Sequence, residues 1–79
     1  TYSDVVIKRI HALCAERKLT INKLATLSGI TQSTVDNIVK GVTKNPTLKT
    51  LHKLSVGLQM TVSEFLDFPE MDETIFEDE

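Results

Sequence analysis

Short helical patterns bounded by glycine and threonine are the feature that most constrains the fold of this chain. The stretch GITQSTVDNIVKG, residues 29–41, is typical of one such helix. Thr31 is a good N-cap, and Gly29 and Gly41 can take the left-handed backbone that closes a helix. Apolar residues recur at helical spacing along almost the whole sequence, and no alternating run predicts a β-strand. The chain is therefore predicted to be all-α.

Five helices are predicted from the positions at which the helical pattern starts and stops. Each begins at a hydroxyl side chain that can accept a hydrogen bond from the first turn of the helix. Thr61 is followed three residues later by Glu64, and the two form a capping box. The first helix is expected to fray near Lys18. The predicted N-caps, in chain order, are Ser3, Thr20, Thr31, Thr47 and Thr61.

The apolar residues of these helices fall on one side of each and predict the core. Cys14 is the only cysteine, so it cannot form an internal disulfide, and we interpret it as a small buried hydrophobe. His11 and His52 lie in no recognisable catalytic or metal-binding arrangement, so no enzyme, metal or cofactor is expected. The predicted inward-facing residues are Val6, Ile10, Leu13, Cys14, Leu24, Ala25, Leu27, Val35, Ile38, Val39, Leu48, Leu51, Leu54 and Leu58.

Length and hydropathy narrow the class of protein. A chain of 79 residues makes one small domain. Apolar runs stay short of the roughly 18 residues that predict a membrane span, and the N-terminus lacks a signal-like pattern. The expected location is the cytoplasm.

The net charge of -2 conceals a division along the chain. Residues 1–60 hold nine Lys and Arg against three acids, a net charge of +6, whereas residues 61–79 hold eight acids and no basic residue. A basic body with an acidic end is typical of a polyanion-binding protein, but it also fits a chain solubilised at one end.

The third predicted helix is polar on its outer side in an unusual way. At about 100° per residue, Ser33, Asn37 and Lys40 lie opposite the apolar residues, flanked by Gln32 and Asp36. A solvated helix face is usually built from lysine and glutamate, which are better helix formers. Glutamine and asparagine amides can pair bidentately with adenine, and serine can serve donor or acceptor atoms of a base. Two short helices joined at Gly29, the second with this face, indicate a helix-turn-helix.

Together, LTINKLATLSGITQSTVDNIVKG, NPTLKTLHKL and MTVSEFL make the chain similar to the lambda-repressor/Cro-like helix-turn-helix family, the XRE-type bacterial and phage regulators. The match covers roughly residues 3–68. It implies a five-helix lambda-repressor-like domain over residues 1–68, with helices 2 and 3 forming the helix-turn-helix, followed by an acidic tail over 69–79. The residues that the family implies read bases are Gln32, Ser33, Asn37 and, at the rim, Thr34. Those implied to bind phosphate are Thr20, Lys23, Thr31, Lys40, Lys44 and Asn45.

The sequence departs from the family pattern in three places. Where the family usually has a glutamine that braces the recognition glutamine and touches phosphate, this chain has Ile21, so that phosphate contact is expected to be weakened or replaced by Asn22 or Lys23. A frequent arginine–glutamate bridge falls on Cys14 and Val39, where we expect an apolar contact instead. The glycine that usually ends the fourth helix is Gln59, which either accepts a left-handed backbone or marks a different helix end. Asp36 also counts against phosphate binding, because its carboxylate repels phosphate unless it accepts from a cytosine amino group.

The resemblance implies a sequence-specific double-stranded DNA-binding transcriptional regulator, expected to be a repressor and to bind as a homodimer. The alternative is a protein-interaction module, antitoxin-like or a phage adaptor, whose acidic tail binds a protein partner. The tail is either a disordered solubilising end, or it uses apolar anchors for packing, dimerisation or partner binding. A further hypothesis is that its charge folds back over the basic reading surface. The anchors are Phe68, Met71, Ile75 and Phe76.

Overall fold

A computed structural model describes residues 1–74 and residue 76 of the chain, and every regular element in that part is an α-helix. The prediction of an all-α fold is confirmed. Thr1 caps the first helix, and Ser3, the predicted cap, is instead buried within that helix, so this prediction was wrong. The helices are α1 Tyr2–Arg17, α2 Ile21–Ser28, α3 Gln32–Val39, α4 Leu48–Gly57, α5 Val62–Leu66 and α6 Pro69–Glu73.

The four threonine caps are confirmed. In α2, α3, α4 and α5 the threonine hydroxyl accepts from the backbone N–H three residues later, which satisfies one of the free donors at the helix start. The Thr61–Glu64 capping box also forms, and its Thr61 N–H donates to Glu64 Oε1 at 2.8 Å. Hydroxyl side chains therefore fix where these four helices begin.

The core lies where the helices meet. α2 packs against α3 and α4, α4 packs against α5, and α1 packs against α3 and α6. Cys14 is buried as predicted, and its apolar surroundings raise the pKa of its thiol. The buried core consists of Val6, Ile10, Leu13, Cys14, Leu24, Ala25, Val35, Ile38, Leu51, Leu54, Leu58 and Phe65.

Two predicted core residues are exposed. Leu27 near the end of α2 is 46% exposed, and Leu48 at the start of α4 is 67% exposed. Both lie at the edge of an apolar stripe, where helical spacing places a side chain on a face without specifying whether a neighbouring helix reaches it. Those two predictions were wrong.

Four helices end with the same backbone device. A residue with positive φ donates to the carbonyl three residues earlier, and the next residue donates to the carbonyl five residues before itself. Glycine takes a left-handed backbone without steric cost, whereas other residues adopt it less readily. Gln59 does adopt it, so the first of the two alternatives for the end of α4 is correct. The left-handed residues are Lys18 (φ 56°), Gly29 (φ 70°), Gly41 (φ 79°) and Gln59 (φ 59°).

Gly57 has a packing role instead of a turn role. A Cβ added there would collide with the Ser28 hydroxyl and would lie 3.0 Å from the Ser28 backbone nitrogen. The ends of α2 and α4 therefore approach more closely than any side chain at position 57 allows.

A sixth helix, α6, was not predicted. Pro69 lies in its first turn, where a backbone N–H would have no partner within the helix, so proline is tolerated there. The negative charges of Glu70 and Asp72 interact favourably with the positive end of the helix dipole. Phe68 before it is buried, and Met71 packs against the core, where its sulfur accepts from the Tyr2 hydroxyl at 3.5 Å. The five predicted helices are all present, and α6 is an additional short element in the predicted tail that packs against α1.

Candidate nucleic-acid interface

Helix α3 has one buried and one exposed face. Val35 and Ile38 are 0% and 2% exposed, so they fix the rotation of the helix about its axis. Gln32, Ser33 and Asn37 are exposed on the other side. The helix therefore presents its amides and hydroxyl to solvent while its apolar face is held by the core.

The start of α3 is tied down by hydroxyl groups. Thr31 Oγ1 accepts from the Thr34 N–H at 3.2 Å and lies 2.8 Å from the Thr34 hydroxyl. Thr31 and Thr34 are both exposed, although each hydroxyl already has one hydrogen-bond partner. At the start of α2, Thr20 Oγ1 likewise accepts from the Lys23 N–H at 3.0 Å, and the Lys23 side chain is exposed.

The turn after α3 is anchored on Asn37. The Asn37 carbonyl accepts from the N–H groups of Val42 at 2.9 Å and Thr43 at 3.0 Å. Lys44 Nζ donates to the Gly41 carbonyl at 3.3 Å. The exposed side chains of Lys40, Lys44 and Asn45 therefore belong to a turn fixed to the end of α3.

The structure assigns the two arginines to internal contacts that the sequence did not predict. Arg9 donates to the carbonyls of Phe65 at 2.9 Å and Glu64 at 2.8 Å, and its guanidinium lies 4.7 Å from the centre of the Phe68 ring. Arg17 donates to the Leu58 carbonyl at 2.8 Å. These partners are 41 to 56 residues away in sequence, so no local pattern reveals them. Both arginines are partly buried, whereas all seven lysines are exposed, so the accessible basic side chains are lysines.

The family departures have structural counterparts. Ile21 is partly buried against the core, so at this position an apolar contact takes the place of the bracing amide. Cys14 is buried, and Val39 packs against the same core. Asp36 is partly exposed on α3, between the exposed polar face and the buried apolar face of the helix.

The end of the chain packs on α1 as far as the structure describes it. Phe68 is buried and Met71 contacts Tyr2, whereas Phe76 is 61% exposed and stacks on the Tyr2 ring with 5.7 Å between ring centres. Ile75, the remaining predicted anchor, lies outside the described residues. The division of the chain at residue 68 stays a prediction.

Residues 1–74 and 76 contain neither a candidate metal site nor a helix that could span a membrane. This part of the chain contains no group of three His, Cys, Asp or Glu side chains that could hold a metal ion. None of its helices combines the length and the apolar character needed to cross a membrane. His11 and His52 are both exposed.

Three comparisons relate this geometry to known proteins. A family model described as a Cro/C1-type HTH DNA-binding domain matches residues 9–70. The HTH-type transcriptional regulator SlrR of Bacillus subtilis (strain 168) is 38% identical over 63 residues, which cover 78% of this chain. They cover 41% of SlrR, so the chain spans less than half the length of that regulator.

A solved structure matches along nearly the whole chain. The crystal structure of the prophage Lp1 protein 11 superimposes with a TM-score of 0.81 and 38% sequence identity. The match covers 94% of this chain and 97% of the prophage protein, so the two share one fold over the matched length.

Proposed function

Because the chain belongs to the family of Cro/C1-type HTH DNA-binding domains, we propose that it regulates transcription by binding specific double-stranded DNA sequences with α3 in the major groove. The family resemblance expected from the sequence is confirmed. The family is defined by DNA binding, in agreement with the prediction that the chain is not an enzyme.

One observation carries this proposal. The side of α3 opposite Val35 and Ile38 presents Gln32, Ser33 and Asn37 to solvent from a helix that is hydrogen-bonded to its surroundings at both ends. A major groove about 12 Å wide admits a helix, and amide side chains can pair bidentately with adenine. A rigid helix holds such side chains in position with little loss of entropy on binding. We therefore assign base reading to these three residues.

Thr34 is assigned to the rim of the reading surface. Its hydroxyl is 2.8 Å from that of Thr31, so contact with a base requires it to share or exchange that hydrogen bond. Serine at position 33 has no such partner among the hydrogen bonds of the described residues. Ser33 is therefore the better placed of the two hydroxyls for reading a base.

Phosphate contacts are proposed on either side of α3. Thr20 and Lys23 stand at the start of α2, and Thr31 stands at the start of α3, where helix N-termini favour anions. The turn after α3 contributes the other group, namely Lys40, Lys44 and Asn45.

We further propose that the protein acts as a repressor and binds a two-fold operator as a dimer. Helix-turn-helix dimers place their recognition helices about 34 Å apart, one turn of DNA. Two copies joined through α5 or the tail would supply the two recognition helices. The binding site is then predicted to contain two inverted half-sites.

Selection of bound sequences from a random DNA pool tests the proposal directly. We expect a two-fold sequence, and we expect Gln32→Ala and Asn37→Ala each to lose about 1–3 kcal/mol of preference for it over a site changed at one base pair. His52→Ala is the matched control, because His52 is an exposed polar residue on α4, outside both the proposed reading surface and the proposed dimer contact. A pool that returns no common sequence, or equal losses for all three variants, would contradict the proposal.

The alternative function, a protein-interaction module, draws support from the exposed acids of α6 and from exposed Phe76. A triple variant, Glu70→Gln, Asp72→Asn and Glu73→Gln, removes the charge of α6 while leaving Met71 on Tyr2. If the tail folds over the reading surface, this variant should bind DNA more tightly at low salt than the parent. Unchanged affinity would rule out that hypothesis. If the Gln32 and Lys44 variants both bind DNA as the parent does, the result would favour a protein partner.

A further inference from the structure

The four left-handed helix ends differ in the residue that follows the turn. In this motif an apolar residue after the turn usually packs against the last turn of the helix. Leu19, Ile30 and Met60 occupy that position after α1, α2 and α4, and all three pack against the core. Val42 occupies it after α3 and is 69% exposed.

The four helix ends also differ in the residue whose carbonyl accepts the hydrogen bond from the N–H after the turn. Leu19, Ile30 and Met60 donate to the carbonyls of Cys14, Ala25 and Ser55, which are all buried. Val42 donates to the carbonyl of Asn37, whose side chain is exposed on the polar face of α3. The usual apolar contact is therefore replaced by a polar neighbour, and the valine side chain remains open to solvent.

The position of Val42 is fixed even though its side chain is exposed. Its N–H lies 2.9 Å from the Asn37 carbonyl, and Gly41 before it has φ 79°. Valine has few side-chain rotamers, so little entropy is lost when it makes a contact. The result is an exposed apolar group whose backbone is hydrogen-bonded to that of Asn37, the residue to which we assign base reading.

The surroundings of Val42 indicate what it contacts. Lys40 and Lys44 flank it in sequence, and both are exposed. Lysines suit a polyanion better than the apolar surface of a protein partner. In the major groove the apolar group of the bases is the C5-methyl of thymine, which lies beside the adenine edges that an asparagine amide can read.

We propose that Val42 is a specificity-determining residue whose methyl groups contact the C5-methyl of one thymine in the DNA site. This inference rests on the proposed function, since it requires α3 to lie in the major groove. It goes beyond that function by adding an apolar contact from outside the helix to the polar contacts made by α3.

Replacement of thymine by uracil tests the contact without changing base pairing. Each thymine of the selected site is replaced singly by deoxyuridine, and the Kd of the parent and of Val42→Ala is measured on every duplex. We expect one replacement to weaken parent binding about fourfold, the effect of one buried methyl group. On that deoxyuridine duplex, Val42→Ala should bind as tightly as the parent. On the unmodified thymine site, Val42→Ala should bind several-fold more weakly than the parent.

Val56→Ala is the matched control, because Val56 is 61% exposed on α4. It should bind every duplex as the parent does. Thermal unfolding of both variants verifies that they are folded, which is expected because neither side chain is buried. If the selected site is bound specifically but every deoxyuridine replacement weakens the parent and Val42→Ala equally, this inference is wrong while the proposed function stands. If no specific site is selected, the proposed function fails and this inference fails with it.

Discussion

The corner where α1 meets α5 and the turn after α3 use positive charge in different ways. At the corner, the Arg9 guanidinium donates to two main-chain carbonyls and lies over the Phe68 ring. In the turn, the Lys40 and Lys44 side chains are exposed, and Lys44 makes one long bond to the Gly41 carbonyl. At the corner the Arg9 bonds hold α1 against α5, whereas in the turn the lysine charges remain accessible to solvent.

Side-chain chemistry explains the difference. A guanidinium presents several donors in a fixed plane and is weakly hydrated, so it suits bonds to carbonyls in a partly buried site. An ammonium is strongly hydrated and flexible, so it stays in water until a phosphate displaces that water. Stability and DNA binding should therefore be separable by mutation, and the following changes test that separation in order of decreasing effect.

Phe65→Ala should break the corner most severely. Phe65 is 1% exposed, and truncation of a buried phenylalanine costs about 3–5 kcal/mol of folding free energy. Chemical denaturation measures the loss. Phe76→Ala is the control, because Phe76 is 61% exposed, and its unfolding free energy should change far less. Equal losses for the two variants would show that the core is not centred where the structure places it.

Arg9→Gln should weaken the same corner through polar contacts. Hydrogen bonds to a charged group contribute about 1.5–3 kcal/mol, and Arg9 makes two such bonds to α5. The midpoint of urea unfolding should fall, while the salt dependence of DNA binding should stay the same in the folded protein. A variant that keeps its stability but binds DNA with a shallower salt dependence would place Arg9 in the interface instead.

Lys44→Gln should produce the opposite result. The slope of log K against log salt concentration should become shallower by about 0.9, the value for one phosphate contact on double-stranded DNA, with the unfolding midpoint unchanged. The control is Lys8→Gln, because Lys8 is an exposed lysine in the groove between α1 and Pro69. Identical slopes for the parent and both variants would remove Lys44 from the phosphate contacts.

The smallest expected effect is a pH-dependent contribution to stability from Glu64 in the capping box at the start of α5. The Thr61 backbone N–H and hydroxyl interactions lower the pKa of the exposed Glu64 carboxyl. A lowered pKa in the folded state adds stability above the ordinary value of about 4.3, and this stability is lost as the pH falls through the lowered pKa. Melting temperatures of the parent and Glu64→Gln should therefore differ less at pH 3 than at pH 7. A constant difference would mean that charge does not contribute to the cap.

The features that local chemistry determines could be predicted from the sequence. Thr20, Thr31, Thr47 and Thr61 each cap a helix through a bond that spans three residues, so the sequence contains both partners. The exposed face of α3 followed from helical spacing in the same way.

The features that distant contacts determine could not be predicted. Leu27 and Leu48 fit the apolar stripes but are exposed, because spacing does not reveal where a neighbouring helix ends. The bonds of Arg9 join residues 55 and 56 positions apart. α6 is too short to give a periodic pattern, and its Met71 contact with Tyr2 spans 69 positions. The base and phosphate contacts stay predictions.

The helix ends also have a consequence for engineering. Of the four left-handed residues, two are glycine, but Lys18 and Gln59 carry side chains that disfavour that backbone. Glycine at either position would relieve the conformational penalty in the native state, although it would also enlarge the unfolded ensemble. Both lie outside the surface proposed to meet DNA, so the chain contains two places where thermostability can be tuned independently of recognition.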